Sequence, residues 1–132
     1  MPRLFSRDPA PRAPNPAVLQ GTLEVMLLSV LAHGDLHGYA LARAIERRSD
    51  SVLMIEEGSL YPALHRLTKR GDLAARWELT DTGRRARMYH LTNTGRQALE
   101  AQRSLWDRVA RAVDKVVGTT PEGDAAGAWR LA

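Results

Sequence analysis

The residues of this chain best suited to chemistry are cations, and they fall in two runs. Arg66, Lys69 and Arg70 form one; Arg84, Arg85 and Arg87 form the other, with no acidic residue among them. Taken singly, each reads as a solubilising surface charge. Two clusters on neighbouring elements of one small basic chain read instead as a surface for a polyanion. Catalytic groupings are poor by comparison. There is no cysteine, which removes disulfide scaffolds, thiolate zinc sites, iron–sulfur clusters and cysteine nucleophiles. His33 and His37 are four apart, but Gly34 interrupts the helix between them and no third ligand is near, so no metal site is expected. His33 reads more simply as a helix C-cap. Glu56 and Glu57 are adjacent in a connection, where carboxylates are usually solvated and do not form an acid–base pair. There is no phosphate-cradling glycine loop, and no motif aligns Ser, His and Asp for nucleophilic attack. The reading is a non-enzyme without cofactor or metal.

The elements that must position these cations follow from periodicity and punctuation. The chain has 132 residues, 44% hydrophobic and 26% charged, with a formal net charge of +4. That is one globular domain's worth of chain. No apolar run reaches signal or membrane-span length, so a soluble cytoplasmic protein is expected. Pro2, Pro9, Pro11, Pro14 and Pro16 crowd the start, so residues 1–15 read as an extended or disordered arm carrying Arg3, Arg7 and Arg12. Asn15 and Pro16 suit a helix start. Leu23, Met26, Leu27, Val30 and Leu31 then recur at helical spacing as far as Gly34. A second helix is predicted from about Tyr39 to Arg48, and a connection over 50–55 with room for a brief strand.

The third helix is the sharpest segment. Leu60, Leu64 and Leu67 form an apolar stripe, Ser59 suits the N-cap, Pro62 fits the first turn, and Gly71 suits the left-handed C-terminal position. Two strands, 73–79 and 87–91, flank a turn-rich connection at 80–85. Thr92 or Asn93 then caps a long helix ending at Gly118, and residues 119–132 read as a flexible tail containing Trp129.

Three helices, a two-stranded hairpin and a further helix are the order of a winged helix-turn-helix, spanning 16–92, followed by a helix over 93–118. The fold class is thus mainly α with a small β-hairpin. A recognition helix needs other helices behind it to fix its angle in a major groove, and a basic hairpin beside it can touch phosphate or minor groove. On the third helix Ser59, Pro62, Ala63, Arg66, Lys69 and Arg70 lie largely off the leucine stripe. Backbone N–H groups near Ser59 suit a phosphate, Arg66 suits a base edge and Lys69 a phosphate.

The segments Gly21–Glu24, His37–Tyr39, Glu57–Leu67, Arg84–Tyr89 and Leu91–Gly95 carry a family resemblance. The chain resembles the PadR transcriptional regulators, with Ser59 where threonine is usual. A single C-terminal helix resembles their short subfamily. The resemblance implies a homodimeric repressor of double-stranded DNA with a roughly palindromic operator. It places Tyr61, with His65 one turn further on, near the DNA backbone, and Tyr39 at the start of the second helix similarly. It makes the C-terminal helix the dimerisation element, through Leu99, Leu105, Trp106, Val109, Val113 and Val116. That stripe independently offers more apolar surface than a three-helix core can cover. In some family members planar apolar effectors sit between aromatic residues at the place of Trp106. Trp106 therefore reads as an effector-stacking residue or as plain interface packing. Two other classes stay open: a winged-helix module that docks a protein, and a non-specific DNA-binding protein without an effector. The six cations of helix and hairpin speak against the first, since protein-docking surfaces favour apolar and aromatic anchors.

Overall fold

Helix α1 (Pro16–Leu31) is the hub of the fold. Leu23, Leu27, Leu28, Val30 and Leu31 are all buried along it, because other elements pack on more than one of its sides. The computed structural model describes residues 16–118. The expected arm (1–15), the cap at Asn15 and the tail with Trp129 lie outside the described residues. A short strand β1 (Leu36–His37) leads into α2 (Gly38–Arg48), and α3 (Glu57–Lys69) follows. The hairpin β2 (Leu73–Leu79) and β3 (Arg85–Leu91) precedes the long helix α4 (Asn93–Val113), which widens into a π turn over Asp114–Gly118. Among the described residues no helix is long and apolar enough to cross a membrane.

The sheet has three antiparallel strands in the order β1–β3–β2. The hairpin pattern predicts two. Strand β1 is too short to show alternation, and it exists through its pairing of Leu36 with Tyr89 and His37 with Met88. The 50–55 connection contains no strand. Asp50 and Ser51 are left-handed there (φ 53° and 65°), and the Ser49 hydroxyl accepts the Leu53 N–H at 3.0 Å.

Helix α3 buries Leu60, Leu64 and Leu67 as predicted, and it also buries Ala63, which corrects the placing of Ala63 on the outer face. Its start differs from expectation. The N-cap is Glu56, which makes no side-chain cap bond, so Ser59 is the third helical residue and Pro62 the sixth. Pro62 therefore sits one turn deeper than expected and leaves the Gly58 carbonyl without its usual donor. Gly58 is exposed, so water can serve that carbonyl. Gly71 adopts the predicted left-handed conformation (φ +87°) and turns the chain into β2.

Thr92 fastens the next junction. Its hydroxyl oxygen accepts the Gly95 N–H at 3.0 Å, capping α4 as expected. It donates to the Gly71 carbonyl at 2.7 Å, and its backbone N–H donates to the Asp72 carbonyl at 3.1 Å. The start of α4 is thereby tied to the turn that ends α3. The chain divides into two compact units after Leu99. The first holds the core just described, and Leu99, only 6% exposed, belongs to it. This corrects its assignment to a dimer stripe, because a side chain already covered by its own unit has little surface left to offer. In the second unit Leu105, Trp106, Val109, Val113, Val116 and Val117 are exposed.

Candidate nucleic-acid interface

The outward face of α3 follows from its buried stripe. With Leu60, Leu64 and Leu67 turned inward, Pro62, His65 and Lys69 stand one turn apart on the opposite side, all exposed. Ser59 is exposed beside them. The first turn is less suited to a phosphate than expected. Glu56 and Glu57 occupy the helix start, and their carboxylates already answer the positive end of the helix dipole while repelling another anion.

Tyr61 sits where α2 and α3 meet. A Cβ at Gly38 would come within 2.8 Å of the Tyr61 ring, so the ring lies directly against the glycine backbone, and a side chain there would push it aside. The tyrosine remains 43% exposed. Burial, then the charges of Glu57 and Tyr89, push its phenol above the ordinary value. It stays protonated and able to donate at neutral pH. Tyr39 is more open, with the Arg43 guanidinium 5.9 Å from its ring centre.

Arg66 departs from expectation. Its Nε donates to Glu24 Oε2 at 3.1 Å, and Arg70 Nη1 donates to the other oxygen of the same carboxylate at 3.2 Å. Arg70 also holds Asp72 through Nη2 at 3.0 Å. Glu24 and Asp72 are each only 5% exposed, and buried carboxylates require such partners. Arg66 is therefore engaged as a bracket between α3 and α1, which corrects its assignment to a base edge. Nothing in the sequence around Glu24 signals this role. Its partners lie 42 and 46 residues away, beyond any local spacing.

The hairpin cations stand differently. Arg84, Arg85 and Arg87 are exposed and form no ion pair among the described residues. Arg85 and Arg87 lie over the Trp77 ring, 4.9 and 5.4 Å from its centre. The opposite face of the sheet is neutralised. Arg76 pairs with Glu78 at 2.6 Å and Asp35 at 3.4 Å, and His90 Nδ1 stands 2.8 Å from Asp35 Oδ1. Among the described residues no group of three acidic or histidine side chains could hold a metal ion.

The residues brought together are thus Tyr39, Tyr61 and the Ser59–Pro62–His65–Lys69 surface of the helices, with Arg84, Arg85 and Arg87 on the hairpin of the same compact unit. Such an arrangement can offer hydroxyl donors and unpaired cations to phosphate, and a helix face to a groove.

Comparison with known proteins agrees with this fold. No curated protein matches the chain significantly. Among solved structures, a transcriptional regulator from Clostridium thermocellum is 27% identical, with a TM-score of 0.70 over 77% of this chain and 99% of that one. A PadR family transcriptional regulator from Eggerthella lenta is 30% identical, with a TM-score of 0.63 over 79% and 89%. A PadR-like transcriptional regulator from Bacillus cereus is 25% identical, with a TM-score of 0.64 over 79% and 99%. The model of the PadR-like transcriptional regulator family matches residues 27–101, a stretch from the core of α1 through the hairpin into α4. A winged helix with its outer helix face and hairpin free, matched over more than half its length, makes this chain a member of the PadR-like family of transcriptional regulators.

Proposed function

We propose that the protein is a homodimeric, sequence-specific repressor that binds double-stranded DNA through α3 and the hairpin. The observation that carries this reading is the set of exposed cations Lys69, Arg84, Arg85 and Arg87, none ion-paired among the described residues. Unpaired cations on a groove-sized helix and an adjacent wing release counterions when they meet phosphate. Tyr39, Tyr61, Ser59 and His65 add further donors, which set orientation. Pro62, exposed midway along the helix face, supplies a rigid apolar contact. Arg66 contributes indirectly, by fixing α3 against α1.

Dimerisation is assigned to α4 and its π turn. Leu105, Val109, Val113 and Val116 repeat every three or four residues and are exposed at 54, 44, 51 and 86%. A second copy with two-fold symmetry would cover this stripe and set two recognition helices on two half-sites. Trp106, 47% exposed, is assigned to the same interface, where its ring also offers a stacking surface for a planar apolar effector. Such an effector releases DNA only by favouring one arrangement of the two reading heads over the other. Repression as the sign of control follows from the family resemblance.

The test is fluorescence anisotropy with the duplex upstream of the protein's own gene against a scrambled duplex, at two salt concentrations, with the stoichiometry measured alongside. Preference for the upstream duplex with two chains per site is the expected result. Equal salt-sensitive binding to both, and to every duplex in a pooled selection, replaces this reading with a non-specific binder. No binding at low salt overturns it in favour of a protein partner.

A further inference from the structure

The hairpin carries a feature that its charge alone does not explain. Trp77 is 56% exposed and Leu79 71%, an unusual place for two large apolar side chains. The strand register accounts for what surrounds them. Trp77 pairs with Arg87 and Leu79 with Arg85, and directly opposed residues of an antiparallel pair share a face. The same face continues through Ala75–Tyr89 and Leu73–Leu91, which pack into the core beneath α1–α3. It therefore begins as core and ends, beyond the helices, as an indole bearing two guanidinium groups. Arg87 lies across from the indole and Arg85 diagonal to it, and Arg87 also approaches the Tyr89 ring at 5.9 Å. The other face has its charges cancelled by Glu78 and Asp35.

We propose that Trp77 is a positioning residue for DNA binding: it holds Arg85 and Arg87 side by side, already ordered, on the hairpin face that meets the sugar–phosphate walls of a minor groove. This rests on the DNA-binding reading above. A free arginine has many rotamers, and freezing each on binding weakens association severalfold. Stacking on an aromatic face removes much of that loss beforehand without removing charge, because the guanidinium keeps its N–H edges for phosphate while its plane rests on the ring. Trp77 and Leu79 also give the hairpin an apolar edge that fits the C–H-lined sugars of the groove. Complementarity of charge picks the duplex as occupant, since a protein partner would meet two unpaired guanidinium groups.

The measurement is anisotropy of a fluorescein-labelled random-sequence duplex, titrated with the full-length protein across a range of low salt concentrations. Trp77→Ala should weaken binding about tenfold and leave the salt slope unchanged, because both charges remain. Trp77→Phe should recover most of the loss, as the ring is restored. Both variants should melt with the wild type, given the exposure of Trp77. Wild-type affinity in Trp77→Ala overturns the proposal while leaving DNA binding intact. So does a salt slope that falls with the affinity, or a phenylalanine variant no better than alanine. Failure of the wild type itself to bind the duplex overturns the parent reading, and this one with it.

Discussion

The arginines at the end of α3 and those of the hairpin are alike in type and all reach solvent, yet they are held differently. Arg66 and Arg70 keep 36 and 45% of their side-chain surface while gripping Glu24 and Asp72, two carboxylates that are otherwise buried. Arg85 and Arg87 rest on an indole and meet no carboxylate. A cation facing a buried anion is part of the structure, because withdrawing it takes compensating charge from a desolvated group. A cation on an aromatic ring keeps its charge available to an outside anion. Residue type does not separate the two regions; the partner does.

The largest expected effect breaks the first region. Removing both Arg66 and Arg70 by alanine substitution should cost about 2 kcal/mol of folding stability. That is discounted from the ~3–5 kcal/mol of a fully buried pair because both guanidinium groups are partly solvated. The matching double substitution of Arg84 and Arg85 should stay within about 0.5 kcal/mol of wild type. Urea unfolding midpoints at equal m-value decide it. Similar losses in both pairs would erase the distinction.

On DNA the order should reverse. Arg85→Ala should weaken all duplexes alike and flatten the dependence of log K on log salt by about 1, since one phosphate contact is lost. Arg66→Ala should leave that slope where it was. A slope that falls with Arg66 and not with Arg85 would return Arg66 to the interface and make the hairpin arginines ordinary surface charge.

Part of this was legible from the residues. The leucine stripe of α3, the limits of β2, the left-handed Gly71 and the Thr92 cap all rest on short-range rules, and a sequence displays those directly. Three features depend on distant contacts and were not legible. Strand β1 is two residues long and has no pattern of its own. Leu99 lies two turns before Trp106 and continues the spacing of Trp106, Val109 and Val113, yet the core claims it first. Arg66 looks free until Glu24, from another helix, is placed beneath it. The start of α3 differs from the sequence pattern for another reason. Ser59 has the right side chain for a cap, but the helix begins earlier, at a glutamate whose side chain makes no cap bond, so preference for a capping residue did not decide the boundary.

The smallest expected effect sharpens the contrast between the two faces of the hairpin sheet. On the neutralised face the Asp35 carboxyl is held below its ordinary range, first by its hydrogen bond with His90; burial opposes this, and the charge of His90 and the hydrogen bond and charge of Arg76 add to the lowering. A carboxyl whose folded value is depressed stabilises the fold above the ordinary carboxylate range, near pH 4. That contribution is lost as pH falls from there through the lower folded value. The pair is largely solvated, so the loss should be below about 1 kcal/mol. In His90→Gln, NMR titration of Asp35 should show its midpoint moving back up toward the ordinary value, with a correspondingly shallower loss of stability in acid. The salt slope of DNA binding should not change, because His90 and Asp35 lie on the face away from Trp77. An unmoved Asp35 midpoint would assign the depression to Arg76 alone. A changed salt slope would mean that the two faces are not electrically separate, and that the hairpin meets DNA with both.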